Sequence, residues 1–297
     1  MDRTIRTDDG RVLAVEEAGD PDGLPVLAQL GTPSSRHLYG HHVEDAAARG
    51  LRLISYDRPG YGKSTPQPGR TVADCASDVR AICQELGISR LAMWGTSGGG
   101  PHVLACAALV PDLVAAAAAI ASLAPHGADG LDWFAGMGQD NVDDFRALLS
   151  GDSVAVARFE RHRAEALAAT PDNVAETERD FLVGPDAAAL TDDMAEYAVL
   201  TNREGLAPGI QGWIDDNRAH ISAWGFELSA IRVPVLVVHG QHDRFVPFGH
   251  GQWLAAHIPG AEAWLLPDDG HLTLSANRMG DVHAWLAHHS SVDLISS

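Results

Sequence analysis

Gly95-Thr96-Ser97-Gly98-Gly99 fits the pattern Gly-x-Ser-x-Gly and is the most chemically pointed stretch of the chain. A short apolar run, Leu91-Ala92-Met93-Trp94, reads as a buried strand before it. A helix over about 99–110 follows, limited by Pro111. Between such flanks a serine sits on a sharp strand-to-helix turn. Small neighbours let two backbones approach there, and the turn holds Oγ out over the end of a sheet. Ser97 is the candidate nucleophile. Without those flanks a Gly-Ser-Gly cluster would read as an ordinary loop.

A serine hydroxyl is a weak nucleophile until a base takes its proton, and the base needs a partner that fixes its tautomer. Of the 15 histidines, His271 in Asp268-Asp269-Gly270-His271 follows the last strand signal and is the candidate base. Asp243 follows the next-to-last strand and is the candidate orienting acid. Asp268 and Asp269 lie too close in sequence to His271 for that role. Charge developing on a carbonyl oxygen needs two N–H donors aimed at it. One is the N–H of Gly98, directly after the nucleophile. The other is the N–H of Thr32, in the loop Leu30-Gly31-Thr32-Pro33-Ser34-Ser35. Chemistry of this kind is acyl transfer and requires no cofactor and no metal.

Other patterns fail on spacing. Gly60-Tyr61-Gly62-Lys63-Ser64 ends like a phosphate-binding loop, but the position of its first glycine holds Asp57. Gly95–Gly100 lacks the spacing of a dinucleotide site. His37, His41 and His42 have no glutamate at metal-ligand spacing and read as a solvated loop or helix. His239 and His242 have no evident third ligand.

The elements that must carry these residues alternate. Strand signals cover 3–7, 12–16, 26–30, 51–56, 91–94, 114–120, 235–239 and 263–266. Helical periodicity covers 72–86, with Gly87 as a C-cap, then 249–257 and 282–289. Apolar strands separated by helices predict a parallel sheet covered on both faces. Residues 126–225 are polar, helical in period and without a clear strand. The expected organisation is a sheet core in two pieces, 1–125 and 226–297, split by a helical insertion. Trp133, Phe134 and Met137 fall at i, i+1 and i+4 in that insertion and are candidates for an apolar substrate wall. Packing within the insertion is the competing explanation, there and for Trp213 and Trp224.

Composition is that of a globular protein: 297 residues, 45% hydrophobic and 21% charged. A net charge of -19 repels phosphate backbones and excludes nucleic acid as an expected partner, leaving a small-molecule substrate. Cys75, Cys83 and Cys106 are too few and too irregular for a disulfide framework, so buried thiols in a reducing compartment are expected. The first residues lack an apolar signal core, and Pro111 and Asp112 interrupt the most apolar stretch, 103–125. The expectation is a cytoplasmic protein with no membrane segment.

Taken together, these residues resemble the α/β-hydrolase superfamily over nearly the whole chain. Gly95–Gly99 is similar to its nucleophile elbow. Gly240-Gln241-His242-Asp243-Arg244-Phe245-Val246-Pro247 is similar to its acid loop, and Gly270-His271 to its histidine loop. Tyr56-Asp57-Arg58-Pro59-Gly60-Tyr61-Gly62-Lys63-Ser64 resembles the structural loop after its fourth strand. The resemblance implies an α/β fold with a mostly parallel eight-stranded sheet flanked by helices, a helical cap at 126–225, and a triad in the chain order serine, acid, histidine. One position departs: Leu30-Gly31 stands where the family usually has His-Gly, so an imidazole that supports the loop geometry is missing. Within the family, Ser97 argues against epoxide hydrolases and haloalkane dehalogenases, which use aspartate there. The Gly-Gly-Ser-Trp-Gly-Gly elbow of proline iminopeptidases is absent. The expected activity is hydrolysis of a small apolar carboxylic ester, lactone or thioester through an acyl-enzyme. Carbon–carbon bond hydrolysis, or an iminopeptidase-like cleavage, by the same triad is the alternative. A non-hydrolytic ligand-binding or biosynthetic accessory protein is a third possibility of another class.

Overall fold

The computed structural model describes residues 1–292. Eight strands form one sheet: β1 Asp2–Arg6, β2 Val12–Gly19, β3 Leu24–Gln29, β4 Leu51–Tyr56, β5 Leu91–Thr96, β6 Val114–Ile120, β7 Val235–Gly240 and β8 Glu262–Leu266. Their order across the sheet is β1-β2-β4-β3-β5-β6-β7-β8. The β1–β2 and β2–β4 pairs are antiparallel, and every later pair is parallel. This is the mostly parallel eight-stranded α/β sheet that the resemblance implied.

Among the described residues twelve α-helices accompany it. They are α1 Gly40–Ala48, α2 Cys75–Leu86, α3 Gly100–Leu109, α4 Gln139–Ser150, α5 Asp152–Ala168, α6 Val174–Thr177, α7 Pro185–Ala189, α8 Asp192–Gly205, α9 Gln211–Ile221, α10 Phe248–His257, α11 Leu272–Asn277 and α12 Met279–Val292. Between β6 and β7 the chain forms α4 to α9 and, among the described residues, no strand. Among the described residues no helix is long and apolar enough to cross a membrane.

The strand period of two explains the layering. Leu91, Met93, Ala117, Ala119, Val235 and Val237 face one side and pack with α2, α3 and α10. Ala92, Trp94, Ala116, Ala118, Leu236 and Val238 face the other and pack with α1, α11 and α12. Each fully buried valine or leucine in these layers contributes roughly 1.5–3 kcal/mol. β6, Val-Ala-Ala-Ala-Ala-Ala-Ile, runs against strand propensity, yet all seven of its residues are buried. Its small side chains let α3 and α12 lie close on its two faces. Tertiary packing, not propensity, makes this segment a strand. Gly87 closes α2 with φ +66°, as a helix C-cap glycine does. The three cysteines are free and buried, with the Cys75 and Cys106 sulfurs 3.7 Å apart.

Candidate active site

β5 ends at Thr96 and hands Ser97 to a single tight turn before α3. Ser97 has φ +56°, a conformation that L-residues rarely adopt and that this turn imposes. The flanking glycines are required by contact. A Cβ on Gly95 would lie 2.5 Å from the Gly99 carbonyl oxygen, and one on Gly99 would lie 1.9 Å from the Gln29 carbonyl oxygen. The turn therefore wedges between its own strand and β3. Ser97 is left half-buried at the wall of a cavity of about 370 Å³.

His271 lines the same cavity. Its Nδ1–H donates to Asp243 Oδ2 at 2.7 Å. Asp243 is itself fixed, because its Oδ1 accepts from the N–H groups of Phe245 (2.9 Å) and Val246 (2.8 Å). That pairing selects the tautomer whose Nε2 is free to take a proton. Burial works to lower the pKa of His271, but the charge and hydrogen bond of Asp243, assisted by Asp186, outweigh it and hold the pKa above the ordinary histidine value. The ring lies against Phe245, centroids 4.6 Å apart, and Phe245 stacks on Phe181 at 4.4 Å. The rival carboxylates are elsewhere: Asp269 accepts from Arg278 at 2.7 Å, and Asp268 is exposed.

The loop after β3 brings Thr32 to the elbow. A Cβ on Gly98 would lie 2.3 Å from Thr32 Oγ1, so the two residues are in direct contact, and both line the cavity. Support for this loop comes from a source the motifs do not reveal. The Arg58 guanidinium donates to the carbonyls of Leu30 and Gly31 (2.8 Å for the latter) and to Thr32 Oγ1 at 2.9 Å. The same side chain is held by Asp216 of α9 at 2.7 and 3.0 Å. The absence of an imidazole at Leu30 thus leaves no gap in the support, since Arg58 fastens the loop by its carbonyls. Asp216 also pairs with Arg70 at 2.6 Å and accepts from Thr32 Oγ1 at 3.0 Å. Burial alone would raise the Asp216 pKa, but the two guanidinium groups drive it well below the ordinary carboxylate value.

Two imidazoles converge on the other side of the elbow. His102 Nδ1–H and His220 Nε2–H each donate to the Gly98 carbonyl at 3.0 Å. A carbonyl only accepts, so the tautomers follow. Burial holds both rings neutral, with His102 pushed down to about 3 and His220 to about 4.

Trp133, Phe134 and Met137 do form one apolar cluster, but other side chains line the cavity. Trp133 donates its Nε1–H to the Ala124 carbonyl at 2.8 Å and lies 4.7 Å, edge to face, from Phe145. Phe145, Leu123 and Val246 stand between this cluster and the void. The trio is thus packing behind the wall rather than the wall itself. Trp213 does line the cavity, whereas Trp224 is buried in the sheet core. Asp140, Asp144, Glu165 and Glu178 line it as well, and among the described lining residues there is no lysine or arginine. Burial pushes the Glu178 carboxyl up to about 7.

The residues that the motifs missed are Arg70, His102 in α3, and Asp186, Asp216 and His220. The last three lie in the helical segment between β6 and β7, where no local pattern marks them. Arg58 was visible inside the Asp-x-x-Gly-x-Gly-x-Ser stretch, but its partner lies 158 residues away.

Comparisons place the whole chain. It is 26% identical over 278 residues to the AB hydrolase superfamily protein YisY of Bacillus subtilis, covering 91% of this chain and 92% of that one. It is 27% identical over 238 residues to a 2-hydroxy-6-oxononadienedioate/2-hydroxy-6-oxononatrienedioate hydrolase of Cupriavidus pinatubonensis, covering 78% of this chain and 74% of that one. Among solved structures, an esterase from Exiguobacterium antarcticum superposes with a TM-score of 0.70 at 20% identity, covering 97% of this chain and 99% of that one. Residues 25–276 match the family described as alpha/beta hydrolase fold. The sheet, the strand-to-helix serine turn and this match together establish that the chain belongs to the alpha/beta hydrolase fold family.

Proposed function

We propose that the protein is a serine hydrolase that cleaves a small, apolar carboxylic ester, or a lactone or thioester, through an acyl-enzyme. The observation that carries this reading is His271, held by Asp243 at 2.7 Å and lining the same cavity as Ser97 on its strained turn. Ser97 Oγ attacks the carbonyl carbon and His271 Nε2 takes its proton. Asp243 holds the imidazole and stabilises the imidazolium. The N–H groups of Gly98 and Thr32 receive the oxyanion. The leaving alcohol takes the proton from His271, and water then repeats the sequence on the acyl-enzyme. Residues 126–225 act as a cap that shapes the acyl and alcohol subsites, and no cofactor enters. The buried free thiols fit a reducing compartment, here the cytoplasm.

The name of the Cupriavidus relative supports a second reading, carbon–carbon bond hydrolysis by the same residues. That relative's named substrates are dicarboxylates. Four carboxyl groups line this cavity without a lysine or arginine among the described lining residues. Arg158 pairs with Asp140 and Asp144, and burial pushes Glu178 up to about 7, so the lining is largely neutralised. It offers no guanidinium or ammonium group to hold two carboxylates, and the ester reading with a neutral substrate is preferred.

The test is turnover of p-nitrophenyl esters across acyl lengths, alongside β-diketones and N-terminal prolyl amides, with Ser97→Ala as control. Ester turnover lost in Ser97→Ala supports the proposal. Failure of a fluorophosphonate probe to label Ser97 in the folded protein would sink it.

A further inference from the structure

The segment between β6 and β7 does more than roof the cavity. It sends two buried carboxylates downward, one to each half of the site. Asp186, at the start of α7, is fully buried. Its Oδ2 accepts from the N–H of His271 at 2.6 Å, and its Oδ1 accepts from those of Leu272 (2.9 Å) and Thr273 (3.1 Å). A Cβ on Gly270 would lie 2.4 Å from that carboxylate, which gives the Gly-His sequence a steric reason. Asp216, in α9 and equally buried, grips Arg58, whose guanidinium fastens the Leu30 and Gly31 carbonyls and Thr32 Oγ1. Neither carboxylate lines the cavity. Neither can therefore act on substrate directly, and both act through the loops they hold.

We infer that Asp186 and Asp216 are positioning residues through which the docked helical segment sets the two loops of the active site, Asp186 seating the loop of His271 and Asp216, through Arg58, seating the loop of Thr32. Two details separate this from plain structural cement. Asp186 bonds to the backbone of His271 itself, and its charge reaches the ring, where it helps to hold the His271 pKa up. Arg58 bonds to carbonyls of consecutive residues leading into Thr32, so it sets the direction of that peptide and not merely its burial. The cap is in this view part of the catalytic machinery, not a lid that could be exchanged freely for another.

The inference rests on the hydrolase reading for its kinetic consequence but not for its titration consequence, and the experiment keeps the two apart. Asp186→Asn and Asp216→Asn are compared with wild type in p-nitrophenyl ester turnover from about pH 5 to 9 and in an NMR titration of His271. Asparagine keeps the shape, but its amide nitrogen donates and so cannot accept from a backbone N–H. Displacement of a loop by a fraction of an ångström to 1 Å predicts a fall in kcat on the order of 10²-fold, with KM changed less than about threefold. The charged or titratable groups that face His271 are Asp243, Asp186 and His239. Only one of these changes in Asp186→Asn, so the His271 pKa and the acid limb of the rate profile move down in that variant and stay in place in Asp216→Asn. Where a variant does not fold, Asp186→Glu and Arg58→Lys keep the charges and displace the loops. A loss of kcat is expected in both, with the His271 titration unmoved. Full activity in folded variants, or an unshifted His271 titration in Asp186→Asn, overturns the inference. Absence of fluorophosphonate labelling in wild type counts instead against the hydrolase reading.

Discussion

Gly98→Ala tests the geometry at the elbow most directly. The added Cβ would meet Thr32 Oγ1 at 2.3 Å, Thr32 Cβ at 2.8 Å and His220 Cε1 at 3.0 Å. Ordinary contact begins at 3.4 Å, so 3.4 − 2.3, or about 1.1 Å, must be found by movement. Thr32 cannot yield cheaply. Its hydroxyl is held by Arg58 at 2.9 Å and donates to Asp216 at 3.0 Å, and the preceding carbonyl is held by Arg58 at 2.8 Å. His220 is pinned by its bond to the Gly98 carbonyl. The elbow and the Thr32 loop must therefore part, and the two N–H groups proposed to hold the oxyanion separate. A misplacement of about 1 Å costs on the order of 10²-fold in kcat. Overpacking costs about 1–3 kcal/mol of stability. With roughly 2.1 cal/mol/K of unfolding entropy per residue, the 297 residues convert that to a fall in Tm of about 2–5 °C. The assay is p-nitrophenyl acetate turnover, normalised to sites titrated with a fluorophosphonate, together with calorimetry. Turnover within twofold of wild type, with Tm unchanged, would refute both the contact and the assignment of this pair as the oxyanion donors.

Because Asp243 and Asp186 hold the His271 pKa above the ordinary value, its neutral, proton-accepting form is lost early on acidification. The acid limb of kcat/KM should fall above the ~6.5 of an unperturbed histidine, and a profile flat down to about pH 4 would exclude His271 as the base. Asp216→Ala leaves the Arg58 guanidinium buried without a carboxylate and Arg70 with only Asp215, at 3.6 Å. A broken buried pair of this kind costs about 3–5 kcal/mol, read as a shift of the urea midpoint, and a loss below about 1 kcal/mol contradicts the pairing. His42, His220 and His250 are pushed down to about 4, and His102 to about 3, all chiefly by burial. Their folded pKa values lie below the unfolded value, so their contribution is complete above ~6.5 and is lost as pH falls toward about 4. His37, His271 and Glu178, all raised, run the other way, but they are three groups against these four together with His239 and His283, which burial also lowers. The urea midpoint should therefore drop between about pH 7 and 5, and an unchanged midpoint over that range would contradict the burial of these rings as neutral groups.

What could be read from the chain, and what could not, divides by distance in sequence. The strands announce themselves because a buried run such as Val235-Leu236-Val237-Val238 needs no partner to be recognised. The serine turn announces itself because its sterics are settled within five residues. α1 is less legible: Gly40–Ala48 has only His42 and Ala46 buried, and so few inward positions give a faint period. Trp133, Phe134 and Met137 show where periodicity stops. Their spacing states that one face is buried, and it is, but only the fold decides that Phe145 and Val246 intervene before the cavity. The charged half of the site is the extreme case. Leu30 in place of the usual histidine looks like a lost support, and within its own loop it is one. The replacement comes from Arg58, and Arg58 can be buried only because Asp216 arrives from α9 to neutralise it. An isolated guanidinium at that depth would be too costly to keep. Each member of that trio is unremarkable alone, and its function exists only in the pairing. A motif can therefore locate Ser97, His271 and Asp243, since each is placed by its own strand end. The residues that fasten their loops belong to other elements, and the sequence between β6 and β7 can change around Asp186 and Asp216 without leaving a local signature of the constraint they carry.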